Sequence, residues 1–259
     1  ICDTGCVNAD DPWTPRLIKN ATCRLLRYST KSAADLTAEH IALHSDGVEF
    51  DAVSGGERAH VRLGIPGAFT VYNALGVIQA AQALGLPLEK IAAALSTAQG
   101  VKGRAEVVPT PGKDYTVLID YSHTPDSLEN ILKTVRGFCR GHVIAVFGCG
   151  GDRDPFKRPI MGGIAARLAD VAVVTSDNPR TEDPNEIIRQ IVAGMDGAKT
   201  PPTVIENRPK AIEWAMDHAE PGDVIVLCGK GHETYQEIGH EKRHLDEREV
   251  VASYLERTL

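Results

Sequence analysis

Between residues 115 and 227 the chain alternates short apolar runs with helical segments, and this rhythm limits the fold more than any other feature. The apolar runs cover 115–119, 143–147, 171–175, 203–205 and 224–227. Helical spacing falls between them, at 125–135, 159–168, 185–195 and 210–218. A strand without a polar face must be covered on both sides, and single helices returning between strands make them parallel. The predicted class is α/β, with a mostly parallel sheet and right-handed crossovers.

The residues before this stretch read differently. Residues 1–20 give the end of a strand, a turn at Asn8-Ala9-Asp10-Asp11-Pro12 and a short helix. Strand patterns follow at 23–28, 41–43, 48–53 and 60–63, and Asp46-Gly47 marks a hairpin. Helices are predicted at 71–84, with Leu75, Ile78, Ala81 and Leu84 on one stripe, and at 88–96. Gly100-Val101-Lys102-Gly103 then separates helical from β-rich sequence, and the predicted domains are 1–103 and 104–259.

Composition narrows the function. A formal charge of -7 over 259 residues lacks the clustered basic footprint of a nucleic-acid binder. No apolar run reaches the length of a membrane span, and no signal-peptide pattern opens the chain. The six cysteines show no paired metal-ligand spacing, so no metal site is assigned; they read as free thiols of a cytoplasmic protein. Ile1-Cys2-Asp3 opens without an initiator Met, which predicts that the chain begins inside a longer protein.

In an open parallel sheet, ligands bind beyond the carboxyl ends of the strands. Three loops there carry chemistry. The run 176–183 holds Asp177-Asn178-Pro179-Arg180: an acid, an amide and a guanidinium, with Pro179 stiffening the turn. Such a set can hold a zwitterion, with Asp177 and Asn178 on an ammonium and Arg180 forked onto a carboxylate. Asp and Asn before a helix often only cap it, so these residues alone would not decide the matter. The run 148–158 adds glycines and the cations Arg153, Lys157 and Arg158; 228–236 adds Gly229-Lys230-Gly231-His232-Glu233. Three polar, glycine-containing loops on one sheet edge are harder to read as mere solvated surface.

Some chemistries are missing. G-x-x-x-x-G-K-[ST] does not occur, so no P-loop is encoded. The dinucleotide fingerprint fails around Gly148, and no nucleophile elbow or triad spacing is present, so no catalytic residue is assigned.

Taken together, Asp120-Tyr121-Ser122-His123-Thr124-Pro125-Asp126, Phe147-Gly148-Cys149-Gly150-Gly151-Asp152-Arg153-Asp154, Asp177-Asn178-Pro179-Arg180 and Gly229-Lys230-Gly231-His232-Glu233 resemble the Mur ligase family. Asn8-Ala9-Asp10-Asp11, Tyr72-Asn73-Ala74-Leu75 and Gly103-Arg104-Ala105-Glu106 add to the resemblance, which spans essentially the whole chain. It implies that 1–103 is the C-terminal half of a central ATP-binding domain and 104–259 a complete, Rossmann-like C-terminal domain. A UDP-binding domain, the P-loop and a carbamylated lysine that helps to hold Mg2+ would lie upstream. The reaction implied is ATP-dependent amide formation through an acyl phosphate, in the cytoplasm, by a monomer.

By the same resemblance, Arg153, Asp177, Asn178, Pro179, Arg180, Gly229 and Glu233 bind the incoming amino acid, and Asn73, Arg104 and Asp120 lie on the ATP side. A basic residue at Arg180 implies meso-2,6-diaminopimelate rather than lysine, added to UDP-N-acetylmuramoyl-L-alanyl-D-glutamate during peptidoglycan synthesis. Two stretches depart from the family pattern, Asp154-Pro155-Phe156-Lys157 and Gly67-Ala68-Phe69-Thr70, and both bear on phosphate-side contacts. The rival readings are a lysine-adding or folylpolyglutamate-type ligase, and a fragment that binds an amino acid without turnover. The isolated chain is expected to be inactive.

Overall fold

The computed structural model describes residues 2–198 and 200–258, and the chain divides into two compact units, 1–99 and 100–259. The break falls ahead of the glycine-flanked segment rather than behind it. Gly103 explains this: its N–H donates to the Glu106 carboxylate at 2.5 Å, and a Cβ there would lie 2.3 Å from the backbone of Gly231. The predicted hinge is thereby tied into the second unit.

In the first unit β1 (Thr4–Asn8), α1 (Thr14–Leu17), β2 (Arg24–Ser29), β3 (Leu36–His44), β4 (Gly47–Ser54) and β5 (Glu57–Leu63) precede α2 (Ala68–Ala83) and α3 (Leu88–Leu95). The strands lie in chain order, parallel from β1 to β3 and antiparallel from β3 to β5. The Asp46-Gly47 hairpin forms where expected, between β3 and β4. Strand β3 is longer than the 41–43 read from the sequence. A bulge between Glu39 and Ala42, with His40 at φ 53°, breaks the alternation that marks a strand. Leu36, Val48, Phe50, Val61, Leu75 and Ile78 fill the core; of the stripe predicted for α2, Leu75 and Ile78 face the sheet and Ala81 is partly buried against it, whereas Leu84, just past the helix end, is exposed.

The second unit contains β6 (Glu106–Val108), β7 (Thr116–Asp120), α4 (Pro125–Arg136), β8 (Val143–Phe147), α5 (Lys157–Leu168), β9 (Val171–Val174) and α6 (Pro184–Val192). It continues with β10 (Thr203–Val204), α7 (Arg208–Asp217), β11 (Val224–Cys228), β12 (Tyr235–Ile238), β13 (Glu241–His244) and α8 (Glu247–Thr258). Its sheet has the order β10-β9-β8-β11-β7-β6, parallel throughout except for the edge strand β6. Every residue of β8 and β11 is buried, as a strand covered on both faces requires.

The predicted strands and helices of this unit all appear, with ends shifted by a few residues. Four elements were not read from the sequence: β6, the β12–β13 hairpin and α8. The hairpin is short, and β13 is exposed along its length, so no apolar alternation announces it. Helix α8 did leave a signal, since Val251, Tyr254 and Leu255 stand three and four apart and are buried.

Candidate functional site

Loops leaving the carboxyl ends of β7, β8, β9 and β11 surround one cavity of about 540 Å³, a size that suits a small molecule. Three basic side chains (Arg153, Lys157, Arg180) and three acidic ones (Asp154, Asp177, Glu233) line it. Equal numbers of each sign suit a zwitterion better than a bare anion. Phe156 and Ile160 give the cavity an apolar side, and Tyr121, His123 and Thr124 come from the turn after β7.

The floor is built from residues 177, 178, 229, 230 and 233. Asp177 Oδ1 accepts from the Asn178 N–H at 2.8 Å, while Oδ2 is buried without a hydrogen-bond partner among the described residues. Gly229 makes room for that second oxygen. It sits at φ 116°, and a Cβ on it would stand 2.7 Å from Asp177 Oδ2.

Asn178 lines the cavity, and its amide is also tied to its neighbours. Its Oδ1 accepts from Lys230 Nζ at 3.2 Å and from the Glu237 N–H at 2.9 Å. Its Nδ2 donates to Glu233 Oε2 at 2.9 Å, and Lys230 Nζ, fully buried, reaches the same Glu233 oxygen at 3.2 Å. An ammonium in this cavity therefore meets Asp177 and Glu233, whereas the Asn178 amide holds Glu233 in place.

Arg180 enters from the side. Its Nε donates to Glu237 Oε2 at 3.0 Å and its Nη1 to Gly151 O at 2.8 Å, leaving Nη2 without a protein acceptor among the described residues. Arg153 is exposed at the rim, with Nη1 donating to Asp152 O at 3.0 Å. Pro179 does not line the cavity; it shapes the turn, and its carbonyl accepts from the Glu182 N–H at 3.1 Å.

Behind the rim a second set of contacts laces the 148–158 loop to the 176–183 loop. Arg158 is buried and clasps Glu182 with both Nη atoms at 2.9 Å, with Gln190 Oε1 2.8 Å from Nη1. Asp152 accepts from the Thr181 hydroxyl at 2.8 Å. The Arg158 guanidinium holds the Glu182 carboxyl below its ordinary 4.5, and the Thr181 hydroxyl holds Asp152 below 3.8. Depressed carboxylates contribute fully above their ordinary values, and the contribution is lost as pH falls through the folded ones. Acid unfolding followed by circular dichroism should therefore steepen below about pH 4.5, and Glu182→Gln should flatten that limb. An unchanged limb in the variant would remove this clamp from the account.

Cys149 sits in the glycine-rich loop but is no nucleophile: burial pushes its thiol up to about 12. The residues assigned to the ATP side have different surroundings. Arg104 is exposed, with its guanidinium 5.3 Å from the centre of the Tyr121 ring. Asp120 is buried and outside the cavity lining; its carboxylate accepts from the Ala105 N–H at 2.8 Å and from the Ser122 hydroxyl. Its geometry is that of a brace for the turn at Ala105, where φ is 43°, rather than of a ligand contact. Asn73 stands exposed on α2 in the first unit. Among the described residues no three His, Cys, Asp or Glu side chains gather as metal ligands.

Sequence reasoning does not single out Phe156, although it lies in the 148–158 loop, and it misses Tyr121 and His123, because the turn after β7 is not among the three loops placed at the sheet edge. Lys230 and Glu237 gave no signal beyond being charged residues that turn out to be tied to the floor.

Two domains in this order, with such a cavity at the carboxyl ends of the second sheet, define a class, and the chain belongs to the Mur ligase family. Residues 103–231 match the Mur ligase glutamate ligase domain, and residues 2–81 the Mur ligase middle domain. More narrowly, the chain is 48% identical over 250 residues to UDP-N-acetylmuramoyl-L-alanyl-D-glutamate--2,6-diaminopimelate ligase 1 of Clostridium acetobutylicum, covering 96% of this chain and 52% of that protein. The ligase of that name from Synechococcus elongatus is 47% identical, over 94% of this chain and 49% of its own length. A solved structure of a ligase with this name superposes with a TM-score of 0.80 at 33% identity, covering 99% of this chain and 53% of the other. The chain thus spans about half the length of the curated relatives it matches.

Proposed function

We propose that this chain is the amino-acid-selecting half of an ATP-dependent ligase that adds meso-2,6-diaminopimelate to UDP-N-acetylmuramoyl-L-alanyl-D-glutamate. The observation that carries this reading is the convergence of Arg180, Asp177 and Glu233 on one cavity. The distal end of meso-diaminopimelate bears an ammonium and a carboxylate on one carbon. Asp177 Oδ2, which has the Arg208 guanidinium 3.8 Å away but accepts no hydrogen bond among the described residues, and Glu233 offer acceptors for the ammonium. Arg180 Nη2 offers donors for the carboxylate, in the planar form that suits it. Arg153 stands at the rim for the carboxylate at the other end of the ligand, the one lysine shares, and Phe156 and Ile160 flank the aliphatic stem.

ATP supplies the phosphoryl group that activates the dipeptide carboxylate as an acyl phosphate, which the free amine then attacks. What this chain's residues contribute is positioning. Fixing both distal charges leaves the other amino group as the end directed out of the cavity. Arg104, exposed beside Tyr121, is the residue of the second unit assigned to phosphate. Mg2+ would be held by residues outside this chain. Partners are therefore small molecules. No described helix is long and apolar enough to cross a membrane, and the proposed setting is a cytoplasmic monomer.

Calorimetric titration of the chain separates the readings. It should take up meso-diaminopimelate at least tenfold more tightly than L-lysine, the discrimination expected of one charge-assisted contact. Equal affinities would favour the lysine-adding alternative and defeat the proposal.

A further inference from the structure

The match to the glutamate ligase domain ends at residue 231, and the β12–β13 hairpin lies beyond it. Yet the hairpin is what holds the 176–180 loop in shape. Gln236 Nε2 donates to Asp177 O at 2.6 Å, and the Glu237 N–H donates to Asn178 Oδ1 at 2.9 Å. Arg180 forms an isolated parallel bridge with Ile238: its N–H donates to Glu237 O at 3.0 Å, and its carbonyl accepts from the Gly239 N–H at 2.7 Å. The bridge matters because Arg180 lies at φ 49°, a left-handed conformation that a residue with a Cβ keeps only when its surroundings impose it.

The side chains repeat the theme. A long arginine on a free turn samples many rotamers, and ordering it on binding opposes affinity. Here Glu237 Oε2 takes the Nε–H at 3.0 Å and Gly151 O takes an Nη1–H, so two of the five donors are fixed before any ligand arrives. The remaining donors point where those two anchors dictate.

We propose that Glu237 is a specificity-determining positioning residue: by accepting from Arg180 Nε it aims the guanidinium at the second carboxylate of a diamino dicarboxylic acid. The proposal rests on the diaminopimelate reading of this cavity. Glu237 touches Arg180 and not the ligand, and its negative charge on its own would repel the ligand's carboxylate. Positioning and charge therefore predict opposite signs, which makes the role testable.

The measurement is the ratio of affinities for meso-diaminopimelate and L-lysine, read by calorimetry on the whole 259-residue chain. Lysine lacks the distal carboxylate, so a general loss of structure weakens both ligands and leaves the ratio alone. Glu237→Ala, which removes the acceptor, should lower the ratio roughly tenfold. Glu237→Gln keeps an acceptor oxygen and should stay within about threefold of the parent chain, or above it once the repelling charge is gone. Should the alanine variant fail to fold, Glu237→Met keeps the stem's volume, accepts nothing, and should show the same fall. In an Arg180→Ala background, Glu237→Ala should change the ratio no further.

A ratio that stays level or rises in Glu237→Ala, or falls equally in Glu237→Gln, overturns the positioning role while leaving the diaminopimelate reading intact. A parent chain with no preference for meso-diaminopimelate overturns both.

Discussion

Replacing Arg208 by leucine should destabilise the second unit by about 3–5 kcal/mol and lower its melting temperature by roughly 10 °C. The reason lies beneath the cavity. Arg208 and Glu247 are both fully buried, with Nε donating to Glu247 Oε1 at 2.8 Å and Nη2 to Cys228 O at the same distance. Nη1 ends 3.8 Å from Asp177 Oδ2. One guanidinium thus joins the end of β11, the start of α8 and the acid on the cavity floor. Burial works against its charge, but Glu247 and Asp177 outweigh burial, and its pKa is raised overall.

Taking the cation away leaves the Glu247 carboxyl buried without its donor. That is the expensive arrangement: breaking one side of a buried pair is far worse than removing both. The Arg208→Leu, Glu247→Leu double variant should accordingly recover much of the loss. Chemical denaturation of the parent and both variants checks this, and a single-variant loss below about 1 kcal/mol would show that the pair is dispensable. The double variant should still bind meso-diaminopimelate more weakly than the parent, because Asp177 loses the cation behind it.

The architecture was legible where burial writes a periodic pattern. The five parallel strands of the six-stranded second sheet are largely apolar, and the helices between them carry stripes, so both the fold class and the sheet edge are legible. The residues that meet there could be picked out as well: Arg153, Asp177, Asn178, Arg180, Gly229 and Glu233 all line one cavity or its floor. What could not be read was which donor satisfies which acceptor. Asn178 looked like an ammonium ligand, yet its amide is held by Lys230, Glu233 and Glu237, partners more than fifty positions away in the chain. The resemblance puts Asp120 on the ATP side, and nothing in its own stretch tells that its carboxylate accepts from the Ala105 N–H. Arg208 sits at the first position of a helix, where its own surroundings give no hint that Glu247 is packed against it. Local pattern records exposure and period; it does not record pairing across the sheet.

Arg180→Ala carries the other large effect, and it falls on one ligand. A charge-assisted contact in a partly buried site is worth about 2–5 kcal/mol, so affinity for meso-diaminopimelate should drop by roughly 30-fold or more. Affinity for L-lysine should hold or improve, since lysine presents no second carboxylate and Asp177 and Glu233 remain. Thermal stability should fall little, because an alanine relieves none of the φ strain but also buries no new charge. Arg180→Lys should not restore the loss, for an ammonium cannot donate to Glu237 and Gly151 and still offer a planar donor pair. In a complete ligase, the same change should weaken diaminopimelate addition far more than ATP binding. Parallel titrations with the two amino acids and with ATP read all of this at once. Equal weakening toward all three ligands would mean that Arg180 holds the loop together rather than recognising a carboxylate, and the selectivity proposed for this cavity would have to come from elsewhere.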